Sequence, residues 1–261
     1  MASQKYLPGE ESIVVAVRVR PFNQREKELQ GAGTTRGCCV SMPKDSPGKV
    51  ILKSTTSSRE ESGRDFSFDY AYWSHDQDEN SKFITQQDVM DQLGNLYLDN
   101  VFNGYNCSLL AYGQTGSGKS YTMTGTPEDA GIVPRGCEAL FERIAANTDK
   151  CVRYEVAVGF LEIYNEQVRD LLNPAAKAGQ GGTSAKLTSA VAEPLKVREI
   201  PGSGFYVQGL TKRQVANYSD VEGWMTVGNK HRSIASTAMN ATSSRSHSIF
   251  VIYFTKKTFS S

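Results

Sequence analysis

Strand-like and helix-like patterns of apolar and polar positions follow one another along this chain. Residues 12–20 are rich in β-branched side chains and end before a proline, which predicts a strand. Residues 66–70 alternate aromatic and polar side chains and predict a second strand. The apolar residues of 86–102 fall on one helical face, and Gly104 is well placed to end that helix. This alternation of elements favours an α/β fold.

The rest of the chain continues the pattern. Residues 107–112 form a short, continuous apolar run, which predicts a strand covered on both faces. Residues 133–146 predict a helix. The strand that begins near residue 152 changes its apolar phase at Gly159, which predicts a bulge there. A capping box at 219–222 predicts a helix that runs to about residue 230, and residues 248–256 predict a strand.

Two segments have the composition of loops. Residues 31–49 are rich in Gly, Thr, Ser and Pro. Residues 175–192 consist largely of Ala, Gly, Ser, Thr and Lys, which is typical of a mobile loop. With no internal repeat and no convincing linker, the sequence predicts an N-terminal extension at 1–11 and one domain at 12–261.

Bulk composition narrows the class of protein without identifying a partner. Apolar residues make up 39% and charged residues 22% of the 261 residues, which is typical of globular proteins. The net charge of +1 gives no indication of a nucleic-acid partner. No signal peptide or membrane span is predicted, so no membrane contact is expected. The five cysteines show no Cys-x-x-Cys spacing, and we expect reduced thiols in the cytosol.

The clearest chemical signal is a phosphate-binding loop from Gly113 to Ser120. Its sequence GQTGSGKS matches the pattern G-x-x-x-x-G-K-[ST]. Glycines let successive backbone N–H groups converge on phosphate oxygens, and the following helix points its positive end at the same anion. Lys119 is expected to reach the β- and γ-phosphates, and the hydroxyl of Ser120 is expected to bind Mg²⁺.

The residues around this loop resemble a kinesin motor domain. The run from Gly104 to Met123 is similar to the kinesin form of the loop, and Arg18-Val-Arg20-Pro21 is similar to the motif that borders adenine in kinesins. The resemblance places Tyr121 on the other side of the adenine ring. A guanidinium and an aromatic ring are suited to hold a base between them.

A third segment, residues 240–247, resembles switch I of kinesins, N-x-x-S-S-R-S-H. By that resemblance, Asn240, Ser243 and Ser244 contact the γ-phosphate or Mg²⁺, with Ser244 as a second metal ligand beside Ser120. Arg245 pairs with a glutamate of switch II.

Together these resemblances imply a complete set of expectations. The fold is a three-layer phosphate-loop NTPase with a central mixed β-sheet flanked by helices, incomplete on its C-terminal side. The cofactors are ATP or ADP with Mg²⁺. The partners are microtubules and, through other regions, cargo or an adaptor, in the cytoplasm on the microtubule cytoskeleton. The expected nucleotide-binding residues are Arg18, Arg20, Pro21, Gly113, Gln114, Thr115, Gly116, Ser117, Gly118, Lys119, Ser120 and Tyr121.

Further segments extend the resemblance. Residues 131–135 are similar to the end of the loop that interrupts the helix after the phosphate loop. Residues 160–172 are similar to the strand and helix that precede a microtubule-facing loop. Residues 20–26 and 66–75 are most similar to transport kinesins in which a forkhead-associated domain follows the motor.

The resemblance runs from about residue 12 to residue 257, and no Asp-x-x-Gly switch II segment follows 248–256. We therefore expect this chain by itself to show little microtubule-stimulated hydrolysis, because Arg245 lacks its expected partner. A truncated or degenerate module that binds nucleotide or tubulin without turnover stays open as the alternative. Another phosphate-loop enzyme, such as a small-molecule kinase, does not account for residues 18–21 or 240–247.

Overall fold

The computed structural model describes residues 13–31, 38–53, 63–77, 81–173, 194–202, 204–238 and 246–259. Six α-helices lie in this described part: α1 Gln24–Gly31, α2 Gln86–Val89, α3 Asn95–Phe102, α4 Lys119–Met123, α5 Ile132–Ala145 and α6 Tyr218–Ala238. Its strands are β1 Ala16–Val19, β2 Val40–Ser41, β3 Lys49–Leu52, β4 Arg64–Ser67, β5 Tyr70–Trp73, β6 Val152–Tyr164, β7 Gln167–Asp170, β8 Lys196–Ile200, β9 Gly204–Gln208, β10 Arg213–Val215 and β11 Ser246–Thr258. Helices and strands are both present, as in the predicted α/β fold class, but they occur in runs such as β2 to β5, α2 to α5 and β6 to β10 and do not alternate strictly.

The chain divides into two compact units, Met1–Leu96 with Leu110–Ile132, and Tyr97–Leu109 with Val133–Ser261. In the first unit, β1 pairs in parallel with β5, and β2, β3 and β4 form an antiparallel sheet. Its core is built around three buried side chains, Met42, Val50 and Trp73. Within the described residues, no helix combines the length and the apolar character needed to cross a membrane.

In the second unit, a sheet of antiparallel pairs surrounds the long strand β6. Its order is β10-β6-β11, with β7 also paired to β6, and β8 pairs separately with β9. The β6–β11 ladder is continuous from Val152↔Thr258 to Tyr164↔Ser246. The central part of β6 is buried at consecutive positions, so both of its faces are covered.

That continuous ladder shows that the bulge predicted at Gly159 is wrong. Gly159 pairs directly with Val251 in the regular register. A Cβ atom at Gly159 would lie 3.3 Å from both Leu210 Cδ2 and Tyr253 Cε2. Glycine therefore fits this position because it lacks a Cβ atom, which lets these two side chains pack close to the strand backbone. The apolar phase changes along β6 because neighbouring elements cover both faces.

The helix expected within residues 160–172 is also absent: these residues form the end of β6, a tight turn and β7. Asn165 and Glu166 have φ values of 48° and 61°. Two consecutive positive φ values are the geometry of a two-residue hairpin turn, which suits the twist of the strands. A strand partner therefore outweighs the helix-like spacing of Val168, Leu171 and Leu172.

The apolar run at 107–112 forms no strand in the described structure. Leu110 is 85% exposed and Tyr112 is 96% exposed. A strand covered on both faces needs neighbouring strands to bond its backbone, and none of the described strands pairs with this segment. The prediction of a buried strand before the phosphate loop is therefore wrong for this structure.

Other elements keep their type but change their bounds. The first predicted strand is limited to β1. The strand predicted at 66–70 is divided, since residues 66 and 67 end β4 and residue 70 begins β5 in a different sheet. The helix predicted at 86–102 contains a π-helical turn at Met90–Gly94 between α2 and α3.

The helix predicted to end near residue 230 is the 21-residue α6. It begins earlier than predicted, because Asn217 Oδ1 accepts a hydrogen bond from the N–H of Asp220. The loop predicted at 175–192 lies outside the described residues.

Candidate nucleotide-binding site

The phosphate-binding loop has a backbone that requires glycine at three positions. Gly113, Gly116 and Gly118 have φ values of 150°, 81° and 96°. Side chains other than glycine rarely adopt these values. A Cβ atom at Gly113 would also lie 2.5 Å from Ser117 Oγ. The backbone thus takes the tight path that such a cradle needs, and the glycine positions of the sequence pattern have a local steric cause.

Lys119 points its ammonium group back into this loop. Its Nζ donates to the carbonyl oxygens of Gly113 at 2.7 Å and Gln114 at 2.8 Å. These carbonyls hold the cation next to the loop backbone. Phosphate oxygens are stronger, charged acceptors for the same ammonium group. The lysine is therefore placed to exchange two neutral partners for an anion.

The helix after the loop is short. Helix α4 spans five residues, starts at Lys119, and has Gly118 as its N-cap without a side-chain cap bond. The N–H groups of its first turn, rather than a long helix dipole, are what it offers to an anion. Ser120 is exposed in this first turn. Beyond α4, Gly125 turns the chain with a φ of 78°, and the N–H of Gly131 bonds to the carbonyl of Thr124 at 2.9 Å.

Arg18 is held beneath this helix by three side-chain acceptors. Its Nε donates to Ser74 Oγ at 3.0 Å, and its Nη1 donates to Gln86 Oε1 at 2.6 Å and to Thr122 Oγ1 at 3.2 Å. Burial lowers the pKa of Arg18, while Tyr121 and Asp129 act in the opposite direction. The guanidinium stays charged at neutral pH, because arginine is not deprotonated in proteins.

Tyr121 lies against Arg18 and is fixed at both ends. Arg18 Cζ is 5.5 Å from the centre of the Tyr121 ring. The Tyr121 hydroxyl donates to Asp129 Oδ2 at 2.6 Å, and its backbone carbonyl accepts from Gln86 Nε2 at 2.6 Å. A base between two planar groups needs two stacking layers of about 3.5 Å each, or about 7 Å. The spacing seen here is shorter, so in this structure Arg18 backs the ring that a base could stack on.

Arg20 precedes Pro21 and helix α1 in the chain, and its side chain is bonded to that helix. Its two terminal nitrogens each contact a carboxylate oxygen of Glu26 at 2.8 Å, and Nη1 also donates to the carbonyl of Pro21. The hydrogen bond from Arg20 is the main cause that lowers the pKa of Glu26 to about 2. A Cβ atom at Gly118 would lie 3.7 Å from Arg20 Cδ. Arg20 therefore lies beside the phosphate loop at Gly118, and its expected place next to the adenine stays a prediction.

Three contributors to this site were not predicted from the sequence. Gln86 is 1% exposed and Ser74 is 6% exposed, and both bond to Arg18. Asp129 bonds to the ring hydroxyl of Tyr121. Polar residues at these positions resemble ordinary loop and helix-start residues in a sequence. The one signal in the sequence was the place of Gln86 at the start of the apolar helical pattern of residues 86–102, where a polar side chain can be buried and then needs hydrogen-bond partners.

The predicted switch residues Asn240, Ser243, Ser244 and Arg245 lie outside the described residues. The strand that follows them is anchored, because Arg232 Nη2 donates to Ser246 Oγ at 3.2 Å. Arg232 Nε also contacts Glu162 Oε1 at 3.3 Å, and Glu162 is 4% exposed. Across the described ranges, no group of three His, Cys, Asp or Glu side chains could hold a metal ion by itself.

Comparison with known sequences identifies one family over most of the chain. A sequence model of the kinesin motor domain matches residues 18–261. Kinesin-like protein KIF1B of Homo sapiens is 44% identical over 248 residues, covering 94% of this chain and 12% of that protein. Kinesin-like protein unc-104 of Caenorhabditis elegans is 45% identical over 252 residues, covering 94% of this chain and 14% of that protein. These relatives confirm the subclass expected from the sequence.

Solved structures give the same result for the fold. A KIF14 dimer with AMP-PNP, in the two-heads-bound state in complex with a microtubule, matches with a TM-score of 0.75 and 38% identity. The match covers 94% of this chain and 61% of that one. KIF14 with ADP, also in complex with a microtubule, has a TM-score of 0.73 and 39% identity over 95% of this chain and 62% of that one. The expected phosphate-loop NTPase fold class is confirmed.

Proposed function

This chain belongs to the kinesin motor-domain family, and from that premise we propose that it is the nucleotide-binding part of a microtubule-based motor ATPase. The observation that carries the proposal is the loop from Gly113 to Ser120. Its three positive-φ glycines and its inward-pointing lysine form a cradle for a polyphosphate. We assign residues 12–261 to one motor domain and residues 1–11 to an extension.

The triphosphate would be bound by the loop backbone and by Lys119, with the base stacked on the face of Tyr121 turned away from Arg18. Tyr121 is 41% exposed, which leaves ring surface accessible to a base. Arg20 and Pro21 would border the same nucleotide, together with the remaining loop residues Gln114, Thr115, Gly116, Ser117 and Gly118. Base stacking on an aromatic ring is worth roughly 1–3 kcal/mol.

The residues of the loop also suit Mg²⁺. This ion commonly uses one or two protein oxygens and completes its shell with phosphate oxygens and water. Ser120 follows the lysine directly, is exposed and supplies one hydroxyl. When bound, the ion would neutralise charge that develops on the phosphates. From the sequence resemblance, Ser244 is the second candidate ligand, and Asn240, Ser243 and Arg245 complete the proposed switch.

Microtubules are the proposed partner. The support is family membership and the likeness to KIF14 structures in complex with microtubules. Cargo or an adaptor would be bound by regions other than this chain, which spans 12% to 14% of the curated relatives named above. We accordingly propose the cytoplasm and the microtubule cytoskeleton as its location, with no role for nucleic acid or membrane contact.

One experiment tests the proposal. Binding of a fluorescent ATP analogue with Mg²⁺ is measured first, followed by steady-state phosphate release with and without microtubules. For this chain by itself the expected result is binding with little microtubule-stimulated phosphate release, and for the chain extended through a kinesin switch II segment and the helices after it the expected result is release that microtubules stimulate. Binding without turnover in the extended form would assign the chain to the module class that binds nucleotide or tubulin only. Failure to bind ATP would overturn the proposal.

A further inference from the structure

We propose that Gln86 is a positioning residue for the nucleobase, which acts by holding Tyr121 in place as a stacking surface. The inference rests on the proposed function, because its ligand is the nucleoside triphosphate. Gln86 lies outside the phosphate loop and outside the Arg18–Pro21 motif. Its side chain is almost fully buried, with 1% exposure.

The amide of Gln86 joins two parts of the base-binding region. Its Oε1 accepts from Arg18 Nη1 at 2.6 Å, and its Nε2 donates to the backbone carbonyl of Tyr121 at 2.6 Å. Chemistry fixes the orientation of this amide. Arginine offers only donors and a carbonyl offers only lone pairs, so a flipped amide would meet both partners with the wrong group. Glutamine is therefore suited to this position because it carries an acceptor and a donor at once.

Gln86 and its partner Arg18 are both held in place by other groups. Thr85 and Asp88 form a reciprocal capping box that fixes the start of helix α2, where Gln86 is the first residue. Arg18 is fixed further by Ser74, whose hydroxyl donates to the carbonyl of Ile84 at 2.6 Å. The amide thus connects a rigid helix start to the main chain of Tyr121.

Two contacts converge on Tyr121 through this arrangement. Gln86 fixes its main chain directly, and Gln86 also orients the Arg18 guanidinium that lies 5.5 Å from the ring centre. Cation–π contacts depend on where the cation lies over the ring. Loss of Gln86 would remove one hydrogen bond that holds the Tyr121 backbone and one that orients the supporting cation. The loss should therefore be felt by the base and not by the phosphates.

The test compares ATP with inorganic tripolyphosphate, which has no base. Gln86→Leu removes both bonds at similar volume. The matched control is Gln87→Leu, because Gln87 is the neighbouring glutamine, is exposed, and has an Nε2 that donates along the helix to Asp91 Oδ1 at 2.8 Å. Two lost hydrogen bonds, one of them to a charged group, predict a fall in ATP affinity of roughly tenfold or more for Gln86→Leu. Tripolyphosphate affinity should stay within about twofold of the parent, which is within the scatter of surface substitutions. The Gln87→Leu control should match the parent for both ligands.

Gln86→Glu serves if Gln86→Leu does not fold. The glutamate keeps the acceptor for Arg18 and loses the donor to the Tyr121 carbonyl, so ATP affinity should fall while tripolyphosphate affinity holds. A cycle with Tyr121→Ala adds the decisive comparison. If Gln86 acts through Tyr121, its substitution should cause no further loss of ATP affinity in the Tyr121→Ala background.

Several results would overturn the inference. These are an equal loss for both ligands, no loss for either, or an additive loss in the Tyr121→Ala background. Failure of the parent chain to bind either ligand would overturn the proposed function and this inference with it. A parent that binds both ligands, with Gln86 variants that behave like the parent, would overturn the inference alone.

Discussion

Replacement of Gly228 by alanine should destabilise the protein, although alanine is the better helix former. Gly228 is buried in the interior of helix α6, which packs on strand β6. A Cβ atom at this position would lie 2.2 Å from Cδ1 of Phe160 and 2.8 Å from its Cε1. Carbon atoms that are not bonded prefer separations of about 3.5–4.0 Å. The preferred separation exceeds the 2.2 Å contact by more than about 1 Å, so the helix or the ring must move by about that distance.

Two opposing effects set the magnitude. Alanine gains about 1 kcal/mol over glycine in a helix interior. Overpacking of a well-packed core costs about 1–3 kcal/mol and occasionally more. Phe160 is 5% exposed and lies edge-on to Phe250 with ring centres 5.5 Å apart, so it has little room to retreat. We place the cost at the upper end of its range and expect a net loss of about 2 kcal/mol. That loss corresponds to roughly a thirtyfold change in the unfolding equilibrium.

The assay is urea unfolding followed by far-ultraviolet circular dichroism. Helix α6 supplies its own control, because a Cβ atom at Gly223 would meet nothing within 4 Å. Gly223→Ala should therefore stabilise the protein by up to about 1 kcal/mol. A Gly228→Ala variant as stable as the parent would refute the packing argument. In a Phe160→Leu background, Gly228→Ala should lower the free energy of unfolding by less than it does in the parent, because the smaller side chain leaves room for the added Cβ atom.

Three other substitutions or titrations follow from the site. Lys119→Ala should abolish measurable binding of Mg²⁺-ATP, because charge-assisted bonds are worth roughly 1.5–3 kcal/mol each and the phosphate clamp uses several. Unchanged affinity for a fluorescent ATP analogue would contradict the assignment of the loop. Tyr121→Ala should weaken ATP and ADP binding alike and leave tripolyphosphate affinity nearly unchanged; an equal loss for tripolyphosphate would show that Tyr121 supports the loop instead. The Glu26 carboxyl should titrate with a pKa of about 2, because Arg20 stabilises its charged form. Its contribution to stability is then complete above its ordinary pKa of 4.5 and is lost as the pH falls through about 2. Carbon-detected NMR of the Glu26 side chain measures this, and Arg20→Ala should return the pKa toward its ordinary value.

Several elements could be predicted from the sequence because their causes are local. The helix predicted at 133–146 is α5, Ile132–Ala145, and the strand predicted at 248–256 lies within β11. The glycine spacing in residues 113–118 predicted a loop whose backbone turns tightly, and the positive φ values of Gly113, Gly116 and Gly118 have that geometry. Helical periodicity and positive φ depend on residues within a few positions, so a sequence pattern contains most of the information.

Strands depended on partners that the sequence does not reveal. Residues 165–170 turn back along β6 and form β7, although residues 160–172 resemble a family segment that was expected to contain a helix. Residues 107–112 have the composition of a buried strand, yet they pair with none of the described strands. Backbone groups of a strand must be satisfied by another segment of chain. Composition shows that a segment can form a strand, and pairing decides whether it does.

The candidate site likewise combines features that a local sequence pattern predicts with contacts that only the tertiary structure shows. The sequence by itself determined the loop pattern that predicts a phosphate site, because Gly113, Gly118 and Lys119 act within a few positions of one another. By family resemblance it also predicted that Arg18 and Tyr121 lie together in one base-binding region. Only the tertiary structure decided that Arg18 lies 5.5 Å from the Tyr121 ring centre and that the buried amide of Gln86 holds both. Contacts between residues 35 to 104 positions apart depend on how the strands and helices pack, which no local pattern records.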